Sequence, residues 1–136
     1  MEYITTGETK LRVRFTECDS MRVVHHSQYV RYFEIGRTEI MRMKGLPYSE
    51  IEDKGFFIIV LKVEAEYKLP AKYDDIITIK AGMRPLDGVR LIFDYQILNQ
   101  SNQLLVSGTT THVFADANTF KPVRPPKEFI EIVASK

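Results

Sequence analysis

Residues 28–44 carry the only long helical pattern in the chain, and nearly everything after them alternates with the period of a strand. Tyr29, Phe33, Gly36, Ile40 and Met43 recur there at alternating spacings of four and three, which puts them on one face of a helix. Ser27 stands where an N-cap belongs. Gly45 followed by Leu46 and Pro47 stops the helix, glycine taking the left-handed position and proline barring continuation. Gly36 lies mid-stripe, where glycine costs a helix about 1 kcal/mol against alanine, and close approach to a sheet would offset that cost. One helix with one apolar stripe needs a second layer to bury it, and strands are what the rest of the chain supplies.

The strands follow from period-two alternation. Lys10-Leu11-Arg12-Val13-Arg14-Phe15 predicts a strand over 10–15 with Leu11, Val13 and Phe15 on the core face. Leu61, Val63, Ala65 and Tyr67 alternate with Lys62, Glu64, Glu66 and Lys68. After a turn at 70–75, Ile77, Ile79, Ala81 and Met83 repeat the pattern, so the two strands read as antiparallel neighbours. Asp87-Gly88 signals a hairpin leading into Val89, Leu91, Phe93, Tyr95 and Ile97. Residues 99–102 turn again, and 104–115 form the last long strand. Pro122, Pro125 and Pro126 extend the tail, with a short helical turn at 127–133. The expected architecture is α+β: one domain over 1–136, a curved five-stranded antiparallel sheet around one central helix. Its free edges, and the apolar Ile92 and Leu98 opposite the core face, call for self-association into a homodimer or homotetramer.

Composition narrows the function. Nineteen basic against eighteen acidic residues leave a net charge of +1, which draws the chain neither to nucleic acid nor to an anionic membrane, so any anion site must be local. A single cysteine, Cys18, excludes an internal disulfide, and the Cys/His spacing of a zinc site is absent. No apolar run approaches a membrane span and the N-terminus has no signal-like pattern. A soluble, cytoplasmic protein that needs no metal or cofactor is expected.

Residues 15–29 concentrate the reactive groups: Glu17, Cys18, Asp19, His25 and His26. The segment feeds the helix start, where free N–H groups and the helix dipole can stabilise an oxyanion. Hydrolysis of a thioester suits such a place, because a thiolate leaves readily and the site need only supply an activated water or a carboxylate nucleophile with those donors. Asp19 can provide the carboxylate. Three other readings stand beside it. A loop aspartate is commonly a turn residue. Cys18 with His25 or His26 is a possible thiol and base, and both histidines with His112 form a sparse metal set. Glu34 and Arg37, three apart on the helix, are expected to pair at its surface, and His112 to be a satisfied strand residue.

Asp19-Ser20-Met21-Arg22-Val23-Val24-His25-His26-Ser27-Gln28-Tyr29, followed by Tyr32-Phe33-Glu34, Gly36-Arg37-Thr38-Glu39 and Gly45-Leu46-Pro47, resembles the hot-dog thioesterases of the 4-hydroxybenzoyl-CoA thioesterase type. Within them it looks closest to the bacterial YbgC-like acyl-CoA thioesterases. The likeness continues through 64–75 and the Asp87-Gly88 hairpin. It implies a hot-dog fold and hydrolysis of acyl-CoA, with an acyl-acyl carrier protein as the alternative substrate and a non-catalytic acyl- or protein-binding module as the rival class. A hot-dog dehydratase is disfavoured, since its His-Phe-Pro-Gly segment is missing. By resemblance Asp19 is nucleophile or general base, His26 offers its N–H to the oxyanion and its imidazole to Asp19 or water, and Tyr29 packs near the acyl pocket. Arg90 and Arg124 are the candidate contacts for CoA phosphates. The chain departs from the family pattern at Arg22, where glycine is usual.

Overall fold

The computed structural model describes residues 2–134, and in it the helical pattern forms α1, Gln28–Met43. Tyr29, Phe33, Gly36 and Ile40 are buried as their spacing requires, whereas Met43 is exposed and Met41 takes the buried place in the last turn. Gly45 has the expected left-handed backbone, with φ of 89°. Ser27 does not cap the helix with its side chain, because its own backbone is already helical; its N–H and hydroxyl go to His25 Nδ1 at 3.2 and 2.8 Å.

Five principal strands surround α1: β1 Thr5–Arg12, β2 Phe56–Tyr67, β3 Ile76–Met83, β4 Leu91–Leu98 and β5 Leu104–Asp116. All pair antiparallel in the order β1-β3-β4-β5-β2. A two-residue strand, β6 Pro122–Val123, pairs with Phe114 and Ala115, so the sheet has six strands where five were expected. Two short helices complete the chain, α2 Tyr48–Asp53 and α3 Lys127–Ala134. From α3, Phe129 and Val133 enter the core, Phe129 meeting the ring of Phe114 at 4.7 Å.

Three expectations give way. The strands around residues 65 and 79 are not neighbours: β2 pairs with β5, and β3 lies between β1 and β4. The segment that joins them is no tight hairpin, because its backbone is used elsewhere, Ala71 O accepting from Val24 N at 2.8 Å. β1 begins and ends earlier than its alternation suggested. Its pairing with β3 stops at Arg12, and Phe15 falls in a one-turn 3-10 helix, Phe15–Glu17, where it is 75% exposed and meets Tyr73 edge-on at 5.8 Å. At the hairpin the turn is shifted by one residue. Gly88, with φ of 62°, and Val89 form its centre between the paired Asp87 and Arg90, so Val89 leaves the core face.

The helix lies close to the sheet because a row of small residues passes beneath it. Gly7, Ala81, Tyr95, Gly108 and Ala65 are register partners across the five principal strands. A Cβ on Gly36 would stand 2.8 Å from Ile79 Cγ2, and one on Gly108 only 2.4 Å from Phe33 Cζ. The one large member, Tyr95, stacks on Phe33 with ring centres 4.4 Å apart. Close packing of this kind offsets the helical cost of Gly36.

Candidate active site

Residues 17–25 fold into a small hairpin just before α1. Cys18 bridges Val24, Asp19 N donates to Val23 O at 2.9 Å, and His25 N donates to Glu17 O at 2.9 Å. On its far side Val23 bridges Lys72 and Val24 is bonded to Ala71, so three strands of one or two residues each lie side by side. The tip is Ser20-Met21-Arg22. There Asp19 Oδ1 accepts from Met21 N at 2.8 Å, an Asx turn, and Arg22 N closes onto Asp19 O at 2.9 Å. The turn reading and the catalytic reading of Asp19 are therefore compatible, for Oδ2 has no partner among the described residues.

Arg22 holds the conformation that glycine would supply. Its φ is 65°, left-handed, a region that costs most L-residues about 1 kcal/mol. The hairpin keeps its backbone path despite the side chain.

The backbone donors at the helix start are mostly engaged. Ser27 N goes to His25 Nδ1, Gln28 N to His25 O at 2.9 Å, Tyr29 N to His26 O at 3.4 Å, and His25 N to Glu17. His26 N alone, among the described N–H groups from 24 to 29, has no acceptor. An oxyanion there would meet one free donor backed by the positive end of α1. The His26 imidazole does not orient Asp19 by a hydrogen bond. It lies against the His25 ring at 4.2 Å and edge-on to Tyr67 at 6.4 Å.

His26 and Tyr29 share an open cleft of about 280 Å³ with Val24, Tyr67, Lys68 and Leu69. Tyr29 is buried, its hydroxyl accepting from Ala71 N at 3.2 Å, and burial raises its pKa. That bond fastens the first turn of α1 to the segment supporting the hairpin. The Asp19 carboxylate lies on the hairpin beside this cleft, not in its wall. A larger depression, about 760 Å³, opens on the outer face of the sheet among Glu8, Lys80, Gln96, Ser107 and Glu66; it holds none of the reactive groups of the hairpin.

Arg90 and Arg124 lie at the other end of the sheet. The cleft is level with the pairing of Tyr67 and Val106, whereas Arg124 follows the pairing of Val123 and Phe114, about 25 Å further along β5. Arg90 closes the hairpin turn against Asp87, one residue before Leu91, the partner of His112. Within one chain, therefore, neither approaches Asp19.

The competing readings of the segment also change. Burial first, then the charges of Glu17, Asp19 and Asp75, push the Cys18 thiol up, which opposes a thiolate nucleophile. No cluster of three or more His, Cys, Asp or Glu among the described residues could hold a metal ion. Glu34 and Arg37 do not pair. Arg37 turns instead towards Tyr95 and His112. His112 is only half satisfied: Nε2 pairs with Thr110 Oγ1 at 2.8 Å, while Nδ1 is buried without a partner. Burial and the Arg37 charge lower its pKa to about 3.

Glu17 was counted among the reactive groups of the segment but given no role. It is buried, takes Arg14 N at 2.8 Å on its side chain, and stands beside the buried hydroxyl of Tyr32. Burial and then the Glu17 charge raise the Tyr32 pKa. A second carboxylate two residues before Asp19 was the available signal.

Comparison with known proteins covers most of the chain. The family model described as the thioesterase-like superfamily matches residues 13–133. A putative esterase of Aquifex aeolicus is 36% identical over 122 residues, covering 90% of this chain and 93% of that protein. The acyl-CoA thioester hydrolase YbgC of Escherichia coli is 30% identical over 120 residues, covering 88% and 90%. Among solved structures, a DHNA-CoA thioesterase from Staphylococcus aureus superposes with a TM-score of 0.90 at 25% identity, over 95% of this chain and 89% of that one. The chain is a member of the thioesterase-like superfamily and has its hot-dog fold.

Proposed function

We propose that this protein hydrolyses acyl-CoA to the free acid and CoA, with Asp19 as the attacking or water-activating carboxylate and His26 N–H as the oxyanion donor. The chain is a thioester hydrolase by family. The observation that carries the assignment of roles is the single unengaged N–H at His26, left free at the positive end of α1 while its neighbours are bonded. Attack on the thioester carbonyl moves charge onto its oxygen, where that N–H and the helix end stabilise it. The thiolate of CoA then leaves without needing a strong acid. Tyr29 holds the donor in place through Ala71 and borders the cleft that takes the acyl group. An acyl chain carried on a carrier protein presents the same thioester and remains the alternative substrate.

The active form is read as a homodimer, the simplest closed assembly, with a homotetramer as its extension. β2 is a free edge of twelve residues on which Val60, Leu61, Val63 and Tyr67 are exposed. Two copies paired antiparallel along β2 would bring the far end of each, with Arg90 and Arg124, towards the cleft of the other. That arrangement would let those arginines reach a CoA bound in the partner. A single cysteine, which can form no internal disulfide, suits the reducing conditions of a cytoplasm.

The test is thiol release from a panel of acyl-CoAs by wild type and Asp19→Asn. Asparagine keeps the oxygen that accepts from Met21, so the hairpin survives and only the carboxylate chemistry is removed. Turnover should fall by a factor of about a hundred or more. Equal rates in the two proteins would sink the assignment of Asp19, and absence of turnover with any thioester would favour a binding module. Cys18→Ser should leave the rate nearly unchanged.

A further inference from the structure

We propose that Glu17 and Tyr32 are a pair of positioning residues: once substrate is bound, the Tyr32 hydroxyl donates to the Glu17 carboxylate and fixes the hairpin that carries Asp19 against α1. The inference rests on the thioesterase reading above and deepens it.

Glu17 stands at the root of the hairpin. Its carbonyl accepts from His25 N at 2.9 Å, which closes residues 17–25 on themselves, and its Oε1 accepts from Arg14 N at 2.8 Å. Asp19 comes two residues after Glu17, and His26, with its free N–H, comes directly after His25. A shift of Glu17 therefore carries the candidate carboxylate and the candidate oxyanion donor with it. The bond from Arg14 N is a capping contact of the 3-10 turn, and an exposed glutamate would make it equally well. Capping leaves the burial unexplained. Glu17 is 8% exposed, and the only cation at its other oxygen among the described residues is the Arg14 guanidinium at 3.4 Å, on a side chain that lies 77% in solvent. A carboxylate withdrawn from water with so little pairing is a costly way to hold a turn.

The Glu17 carboxylate faces Tyr32, the fifth residue of α1. Tyr32 is 1% exposed, and its hydroxyl has no hydrogen-bond partner among the described residues. A buried donor and a buried acceptor thus face each other with the bond between them unmade. Hydrogen bonds that serve a reaction are often long in the free enzyme and tighten when substrate is in place. The route from substrate to this pair is short. Tyr29 lines the cleft, its ring meets that of Tyr32 edge-on at 5.7 Å, and Tyr32 faces the residue that sets the hairpin. Burial and the Glu17 charge raise the Tyr32 pKa, so the hydroxyl keeps the proton that it donates.

The experiment measures kcat, KM and melting temperature on one acyl-CoA for wild type, Tyr32→Phe, Glu17→Gln and the double variant, with Val133→Ala in α3 as a control that loosens the core away from the hairpin. Phenylalanine keeps the ring and removes only the hydroxyl. Since that hydroxyl is unbonded in the free protein, Tyr32→Phe should melt no lower than wild type. Its kcat should nevertheless fall about tenfold while KM stays within about twofold. A structural role would give the opposite pairing, a lower melting temperature with kcat kept, as expected of Val133→Ala. Glutamine still accepts from Arg14 N, so Glu17→Gln should fold, and the double variant should be no slower than the slower single variant because both remove one contact. A kcat for Tyr32→Phe equal to wild type, or losses that multiply in the double variant, overturns the proposal. A 2-oxoalkyl thioether of CoA, which carries a carbonyl and no thioester, keeps the question separate from turnover. Its addition should shift the His26 amide resonance in wild type and much less in Tyr32→Phe. If wild type hydrolyses nothing, the thioesterase reading fails and this difference alone decides the inference; equal shifts in the two proteins, or none in either, overturn it.

Discussion

At the scale of single residues, backbone conformation and protonation are where this chain is least ordinary. Arg22 stores strain that Arg22→Gly should release, raising stability by about 1 kcal/mol in a denaturant titration. His112 gives a pH dependence with a definite sign. Its folded pKa, about 3, lies below the ordinary value of 6.5, so in acid the unfolded chain takes up a proton that the folded chain refuses. The stability it contributes is complete above pH 6.5 and is lost as pH falls towards 3. Replacing it with leucine should flatten the stability profile between those values by on the order of 2 kcal/mol, measured by melting at pH 7 and pH 4. Asp19 and His26 were legible in the sequence as a pair of positions. That the His26 N–H is the one left without an acceptor, and that its ring lies against His25, was not, because it depends on which neighbouring N–H groups the hairpin consumes. The burial of Glu17 was not legible for a similar reason: burial of a carboxylate is a property of what surrounds it.

Among elements, the helix was the most legible, since its stripe and its glycine stop are local signals. The strands were located by alternation, but their partners were not. Alternation says which face a side chain takes and nothing about which strand lies alongside, so β2 was paired with β3 although β5 is its neighbour. The turn chemistry misled by a single residue at Gly88, where the left-handed position falls at the first central place of the turn. The row of small residues under α1 gives a prediction for the packing between layers. Gly108→Ala should cost about 3 kcal/mol, because the new methyl meets the Phe33 ring at 2.4 Å and the Glu64 carbonyl at 2.8 Å, and the carbonyl cannot move aside. Gly36→Ala should cost less, its nearest obstacle being the Ile79 Cγ2 methyl at 2.8 Å with no backbone atom against it, and alanine being the better helix former. Midpoints of urea unfolding for the two variants would rank them.

For the whole molecule, the exposed β2 edge is the feature that most asks for a partner. Val63→Lys should weaken self-association, seen as a lower mass by light scattering, and should reduce turnover on acyl-CoA more than on acyl-pantetheine if Arg90 and Arg124 serve the partner's cleft. A monomeric wild type would remove that role from both arginines.

The hairpin before α1 has a consequence for how activity arises in time. Its strands are fixed by Ala71 and Lys72, which belong to a segment about fifty residues downstream, between β2 and β3, on opposite sides of the sheet. Contacts of such long sequence separation close late in folding, after the local structure of α1 and of the β3–β4 hairpin. The free His26 N–H, the proposed oxyanion donor, is therefore set by the closed sheet and not by the helix alone, and Asp19, His26 and the cleft are expected to come together only as the chain completes its fold.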